Sequence, residues 1–140
     1  MKKLLLFLLV LTCTQIQAQT VIGKWKTVDD KTKEAKSIVE VYENNGKIFG
    51  KIIEIFDPAK RNRKCDKCTG AESNKPVLGM VIIKGLEKDD AEYSGGKILD
   101  PETGNLYKCI IKLAGKDKLE VRGYMGFAII GRSQTWIRVK

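Results

Sequence analysis

"SIVEVYENNGKIFGKI" (residues 37–52) decides the fold, because two runs of β-branched and aromatic residues flank a single tight turn. Asn45 and Gly46 form that turn, and both tolerate the positive φ angles that a type I′ turn requires. A type I′ turn has the twist that connects two neighbouring antiparallel strands. The stretch therefore predicts a β-hairpin.

Similar runs recur on both sides of the hairpin, while the 3.6-residue periodicity of helices is nearly absent. The chain contains eight such runs: residues 21–28, 37–43, 47–56, 79–86, 92–99, 105–113, 118–124 and 132–139. Short turn sequences such as "DPETGN" (residues 100–105) lie between most of these runs. One long connection, residues 57–77, remains between the third and fourth runs, and a loop of that length is functional or needs fixing in place.

Two of the predicted strands have one apolar and one charged face. In the sixth strand the apolar face carries Tyr107, Cys109, Ile111 and Leu113. In the seventh, Leu119 and Val121 lie opposite Glu120 and Arg122. In the eighth, either face could point inward, and we expect it to be the face with Gln134, Trp136 and Arg138. Consecutive antiparallel strands leave two exposed edges unless the sheet closes. We therefore predict an all-β fold, an eight-stranded antiparallel up-and-down barrel, with an open two-sheet sandwich as the alternative.

The N-terminus is typical of a secretory signal peptide. Two lysines precede an apolar run from Leu4 to Leu11, and cleavage is expected after about Ala18. The apolar run is far shorter than the roughly 20 residues that span a bilayer. Lipoprotein processing at Cys13 is the alternative, although Thr12 departs from the usual small residue there. We expect residues 19–140 to form one domain that is periplasmic or secreted and does not span the membrane.

The chain is basic, with 26 Lys and Arg against 17 Asp and Glu, a net charge of +9. Two of the lysines belong to residues 1–18, so the exported part keeps +7. The simplest interpretation of this balance is a solvated basic surface without a partner. If the exported protein has an acidic partner, we expect an anionic envelope lipid or polysaccharide rather than nucleic acid. The densest cluster lies in the long loop and consists of Lys60, Arg61, Arg63, Lys64 and Lys67.

Several classes of enzyme are disfavoured. The chain has no histidine, which removes the commonest general base and the Ser–His and Cys–His nucleophile pairs. Glu40 and Glu54 lie in neighbouring predicted strands, but we expect both to face solvent rather than to act as a glycosidase pair. We predict that the protein is not an enzyme and needs no cofactor.

Cys65 and Cys68 lie two residues apart in "RNRKCDKCTG" (residues 61–70). With Cys109 as the one further cysteine after residue 18, a zinc site would need a carboxylate such as Asp66 or a second subunit. A redox centre is a second alternative, because neighbouring cations favour a thiolate. We predict a Cys65–Cys68 disulfide that rigidifies the loop in an oxidising compartment, no metal, and a buried, unreactive Cys109.

The chain also resembles a known family. "GKW" (residues 23–25) is similar to the Gly-x-Trp signature of lipocalin and calycin barrels. The ordered motifs "GKWKTVDD", "SIVEVYENNGKIFGKI", "CDKC", "GGKILDPETGNLYKC", "LEVRGYMG" and "GRSQTW" resemble the uncharacterised bacterial family catalogued as domain of unknown function 2147. The resemblance runs from about Ile22 to Lys140 and departs at Tyr93, where a Trp is expected.

That resemblance implies a signal-bearing, lipocalin-like barrel and no established activity. It further implies that Trp25 plugs one end of the barrel. A cation–π lid would cover it, from Arg138 or, failing that, Arg132.

Two functions fit these expectations. In the first, the barrel carries a small hydrophobic or lipid-like ligand in its lumen. The predicted lumen residues are Trp25, Ile52, Tyr107, Ile111, Val121 and Trp136, with Ile38 and Ile82 as further apolar candidates. In the second, the barrel is filled and works as a structural or interaction module, docking anionic envelope components through the basic loop, residues 60–67.

Overall fold

The computed structural model describes residues 19–127 and 131–140, which form a closed barrel of antiparallel strands. The predicted signal peptide (residues 1–18), including Cys13, lies outside the described residues. The strands are β1 (Gly23–Val28), β2 (Ala35–Asn44), β3 (Lys47–Ile55), β4 (Val81–Asp89), β5 (Glu92–Leu99), β6 (Leu106–Leu113), β7 (Lys118–Tyr124) and β8 (Gly131–Arg138). The predicted eight-stranded antiparallel barrel is confirmed.

The barrel closes between its first and last strands. Trp25 of β1 lies opposite Arg138 of β8, and the N–H of Val139 donates to the carbonyl oxygen of Lys24 at 2.9 Å. Every other strand pairs with its neighbour in the chain, which is the up-and-down order. Each of the eight described strands therefore has a partner on both sides, so closure removes the free edges of the sheet.

The central hairpin has the turn that its sequence predicts. Asn45 has a φ of 51° and Gly46 a φ of 78°, so both central residues are in the left-handed region. Tyr42 and Phe49 stack on the outer face of the hairpin with ring centroids 5.8 Å apart. This cross-strand pair fixes the register on the side that faces away from the core.

An irregularity in β3 decides which of its residues face inward. Val39 pairs with Ile52 and Ile38 pairs with Glu54, so Ile53 is an extra residue in β3. Such a β-bulge reverses the alternation of side chains from that point on. Ile52 and Ile55 are therefore both buried, while Glu54 is exposed, as predicted from its charge.

The strand bounds differ from the predicted runs by up to three residues. β2 begins at Ala35, two residues before the predicted start, and β4 runs on to Asp89 instead of ending at Leu86. The cause of the second difference is a tight turn at Asp90, whose φ of 57° lets β5 follow directly. The sequence offers no glycine there to mark the turn.

The two ends of the barrel differ. The end near Trp25, which we call the filled half, contains close-packed buried side chains. These are Trp25, Val39, Val41, Ile48, Ile83, Leu86, Cys109, Ile111 and Leu119. The β1–β2, β3–β4, β5–β6 and β7–β8 connections meet at the other end, the open end. Helix in the described part of the chain is limited to the 3-10 turns Pro58–Lys60 and Gly70–Glu72, and no helix there is long and apolar enough to cross a membrane.

Candidate ligand-binding site

A cavity of about 690 Å³ occupies the open half of the barrel. This volume lies within the roughly 300–1,000 Å³ typical of small-molecule sites. Its deep wall consists of apolar side chains supplied by several strands and by the end of the long loop. They are Ile52, Ile55, Val77, Ile82, Ile98, Leu99, Val121 and Trp136. A bound molecule would therefore exchange water for an apolar surface.

Several polar groups in this wall have partners within the protein. The hydroxyls of Thr27 and Ser37 lie 2.8 Å apart, and the indole Nε1 of Trp136 donates to Oε1 of Gln134 at 3.1 Å. Because these groups are already hydrogen-bonded, the wall offers a ligand mainly apolar contacts.

The structure places most, but not all, of the predicted lumen residues at the cavity. Ile52, Tyr107, Val121 and Trp136 line it, and so does Ile82.

Three of the candidates do not line the cavity. Trp25 and Ile111 are fully buried in the filled half, so their assignment to the lumen is wrong. They face inward as predicted, but large neighbouring side chains fill the space around them. Ile38 is half-buried and alternates with the inward-facing Val39, which places it on the outer face of β2.

Trp25 and Arg138 seal the filled half. The guanidinium carbon of Arg138 lies 4.2 Å from the centroid of the Trp25 ring. The same guanidinium donates to the carbonyl oxygens of Thr20 and Ile22, and the indole Nε1 of Trp25 donates to that of Val21 at 2.8 Å. These contacts tie the segment before β1 across the end of the barrel.

Arg132, the second candidate for the lid, lies elsewhere. It starts β8 at the open end, where its guanidinium pairs with the carboxylate of Asp30. The lid is therefore made by Arg138 and not by Arg132. The Asp30 pKa is lowered, mainly by its hydrogen bond with Arg132.

An ion pair spans the mouth of the cavity. The Lys36 ammonium lies 3.0 Å from the Asp29 carboxylate and 3.4 Å from that of Glu102. Lys36 belongs to β2, whereas Glu102 follows β5, so the second contact connects opposite sides of the ring of strands. Both side chains are almost half exposed, at 43% and 47%, and such a pair stabilises by at most about 1 kcal/mol. A molecule could displace it on entry. The Asp29 pKa is lowered, first by the N–H of Thr32 and next by Lys36.

The five cations of the basic loop have different roles. Arg61 donates to the carbonyl oxygens of Ile55 and Phe56 at 3.0 and 3.4 Å, which fastens the loop to the end of β3. Lys60 and Arg63 line the cavity. Lys64 and Lys67 are exposed and do not line it. From the sequence the five cations were expected to form one surface, but in the structure only some of them line the cavity.

Cys65 and Cys68 form a disulfide, which confirms the predicted pairing. Both residues are buried, and Sγ of Cys65 lies 3.5 Å from the carbonyl oxygen of Pro101. The loop also packs against Gly104, where an added Cβ would collide with the carbonyl of Lys67. Because the bridge is enclosed between the loop and the β5–β6 connection, its surroundings favour a structural bridge over a redox centre.

The remaining cysteine chemistry is limited. Cys109 is a buried free thiol, and burial raises its pKa to about 12. A thiol in that environment behaves as a small apolar side chain. Within residues 19–127 and 131–140, no three His, Cys, Asp or Glu side chains are grouped so that they could hold a metal ion.

Comparisons with known proteins agree with this architecture. The sequence model of a bacterial family described as "Uncharacterized protein conserved in bacteria (DUF2147)" matches residues 23–138, a span that covers all eight strands. The chain belongs to this family. No curated protein matches the chain.

A solved structure is similar to this DUF2147 barrel. It is protein HP1028 from the human pathogen Helicobacter pylori, described as belonging to the lipocalin family. The identity is 24%, the match covers 88% of this chain and 85% of HP1028, and the TM-score is 0.77. At this identity the likeness shows the fold, so the DUF2147 chain has a lipocalin-like fold.

Sequence reasoning missed the residues that shape the mouth of the cavity. Lys36 and Glu102 are separated by 66 positions, and no local pattern signals that they meet. Thr27 and Ser37 lie on the inward faces of strands, but their polarity gave no reason to place them inside. The role of each of these residues depends on where it lies along the barrel. No local sequence pattern shows that position.

Proposed function

We propose that this protein is an exported binding protein that carries a small apolar or lipid-like molecule in the open half of its barrel. The observation that carries the proposal is the 690 Å³ cavity with an apolar wall above a filled, sealed base. The lipocalin-like fold supports a role in binding rather than in catalysis, as does the lack of histidine. The signal-peptide pattern of residues 1–18 and the disulfide support a periplasmic or secreted location.

The two halves of the barrel would have different roles. The filled half supplies a rigid apolar core, which stabilises the barrel whether or not a ligand is bound. The open half leaves apolar surface in contact with water, and covering it is favourable by roughly 25 cal/mol per Å². A ligand that enters there does not have to disrupt the core, so binding requires little rearrangement beyond the mouth.

The proposal is tested with N-phenyl-1-naphthylamine, an uncharged apolar probe whose fluorescence rises in apolar surroundings. Val121→Phe places a larger side chain in the cavity wall at a cost of about 1–3 kcal/mol, and circular dichroism checks that the variant is folded. Thr135→Phe is the matched control, because Thr135 is exposed in the neighbouring strand β8. We expect wild type and Thr135→Phe to bind the probe and Val121→Phe to lose most of that binding. Equal binding by all three proteins would contradict the proposal.

A second candidate function, docking to anionic envelope surfaces, is favoured by the composition of the open end. Lys60, Lys64 and Lys67 are exposed in the β3–β4 connection, and the β7–β8 connection at the same end of the barrel exposes 55% of Met125 and 78% of Phe127. Cations and exposed apolar side chains at one end of a protein are typical of surfaces that contact anionic lipid.

The test of docking is sedimentation with vesicles that contain phosphatidylglycerol. Each basic residue near such a surface contributes roughly 1 kcal/mol, so Lys64→Gln with Lys67→Gln should weaken docking by about tenfold or more. High salt should weaken it as well. If the double variant sediments as wild type does at low salt, docking through this loop is wrong, whereas the carrier proposal is unaffected.

A further inference from the structure

We propose that the ligand is a long-chain carboxylate whose head is bound by Arg63 and Lys60 at the mouth of the cavity while its chain fills the apolar lumen. This inference rests on the proposed carrier function and adds the chemical class of the ligand. It assigns to two members of the basic loop a role that the other members do not share.

Arg63 is the first observation. Its side chain is half-buried at the edge of the cavity, yet no hydrogen bond or ion pair from its guanidinium exists among the described residues. A guanidinium carries five N–H donors, and leaving them without acceptors in a partly buried place is unfavourable. Arg61, two residues earlier, shows the contrast, since its guanidinium donates to two carbonyl oxygens. Arg63 is therefore placed to receive an acceptor from outside the chain.

The backbone of Arg63 is held in place. Its N–H donates to the carbonyl oxygen of Lys60 at 3.1 Å, and its own carbonyl accepts from Val77 at 3.0 Å. Val77 is buried in the cavity wall, and the disulfide lies two residues beyond Arg63. Because the loop is fixed at these points, Arg63 and Lys60 lie at the same opening. No further part of the chain has to become ordered when a ligand binds there.

The carboxylates at the mouth leave this pair available. Asp29 and Glu102 are paired with Lys36, and Asp57 accepts from the N–H of Ala59. Asp100 accepts from the N–H of Glu102 and the hydroxyl of Thr103. None of these carboxylates lies within 4 Å of the charged groups of Arg63 or Lys60 in the described part of the chain.

A carboxylate matches this pair better than a neutral head does. Its two oxygens can accept two parallel N–H bonds from a guanidinium, and a lysine ammonium beside them adds a second charge. The deep wall consists of apolar side chains, so the remainder of the ligand should be a hydrocarbon chain. The two requirements together describe a fatty acid.

The test compares dodecanoic acid with 1-dodecanol, which has the same chain and an uncharged head, by displacement of N-phenyl-1-naphthylamine. The proteins are wild type, Lys60→Gln with Arg63→Gln, and the matched control Lys64→Gln with Lys67→Gln. The control removes the same charge from the same loop at residues that do not line the cavity. Wild type and control should bind the acid about 10- to 100-fold more tightly than the Lys60/Arg63 variant does. The alcohol should bind all three proteins alike, which also shows that the variants are folded.

Four results would overturn the proposal. The first is that wild type binds the acid no better than the alcohol, and the second is that both variants lose acid binding equally. In either case no head-group site exists at Arg63, but the apolar carrier function stands. If the Lys60/Arg63 variant loses the acid and the alcohol together, the two residues maintain the cavity and do not recognise a head group. If neither ligand displaces the probe from wild type, this inference and the proposed function fail together.

Discussion

Replacing Arg138 with Met should destabilise the barrel by about 2–4 kcal/mol. The substitution keeps an apolar stem of similar length over Trp25 and removes the guanidinium. The cation–π contact, at 4.2 Å from the ring centroid, is worth about 0.5–1 kcal/mol at a partly exposed site. The guanidinium also donates to the carbonyl oxygens of Thr20, Ile22 and Lys116, each worth about 0.5–1 kcal/mol net where water can take its place.

This loss is large relative to the 5–15 kcal/mol stability of a typical domain, so urea unfolding followed by circular dichroism should resolve it. Arg138→Lys is the control: it keeps the charge over Trp25, but one ammonium cannot reach all three carbonyl oxygens, so it should lose about half as much. A double-mutant cycle with Trp25→Leu, which removes the aromatic ring, isolates the stacking contribution, expected at about 0.5–1 kcal/mol. If Arg138→Met unfolds within 0.5 kcal/mol of wild type, the seal described here does not stabilise the barrel.

Three further predictions concern the mouth and the core. Glu102→Gln removes the ion pair with Lys36 across the mouth, so stopped-flow mixing should show faster probe entry, and an unchanged rate would contradict that role. Because its pKa is about 12, Cys109 should resist iodoacetamide at pH 8 until the protein unfolds, and peptide mapping that finds it alkylated in folded protein would contradict its burial. Folding lowers the pKa of Asp29 and Asp30, so their contribution is present above about pH 4 and is lost only as the pH falls through the lowered values. NMR titration should show both carboxyls titrating below the ordinary range of an aspartate.

Much of the fold could be predicted because its signals are local. The Asn45–Gly46 turn set the register of one hairpin, and alternation in β6 and β7 identified which side chains face inward. The disulfide followed from the expected compartment together with the absence of histidine. Each of these depends on chemistry within a few residues or on composition, which a sequence displays directly.

The site was predicted less completely, because its definition is three-dimensional. Alternation places Ile111 and Val121 on inward faces alike, and the two pair directly across β6 and β7, yet only Val121 lines the cavity. The extra residue at Ile53 reverses alternation in β3, and no feature of the sequence marks it. Likewise, five neighbouring cations look equivalent in the chain, whereas the fold of the loop turns Arg63 towards the cavity and leaves Lys64 outside.

The central claim, that the open half of the barrel carries a ligand, is tested most directly by native mass spectrometry of protein purified from the envelope of the cells that make it. Wild type and Thr135→Phe should each retain a noncovalent species with the mass of a single-chain lipid, and Val121→Phe should appear without it. Wild-type protein that shows only the mass of the bare chain, or a lipid adduct that persists equally in Val121→Phe, would contradict the account.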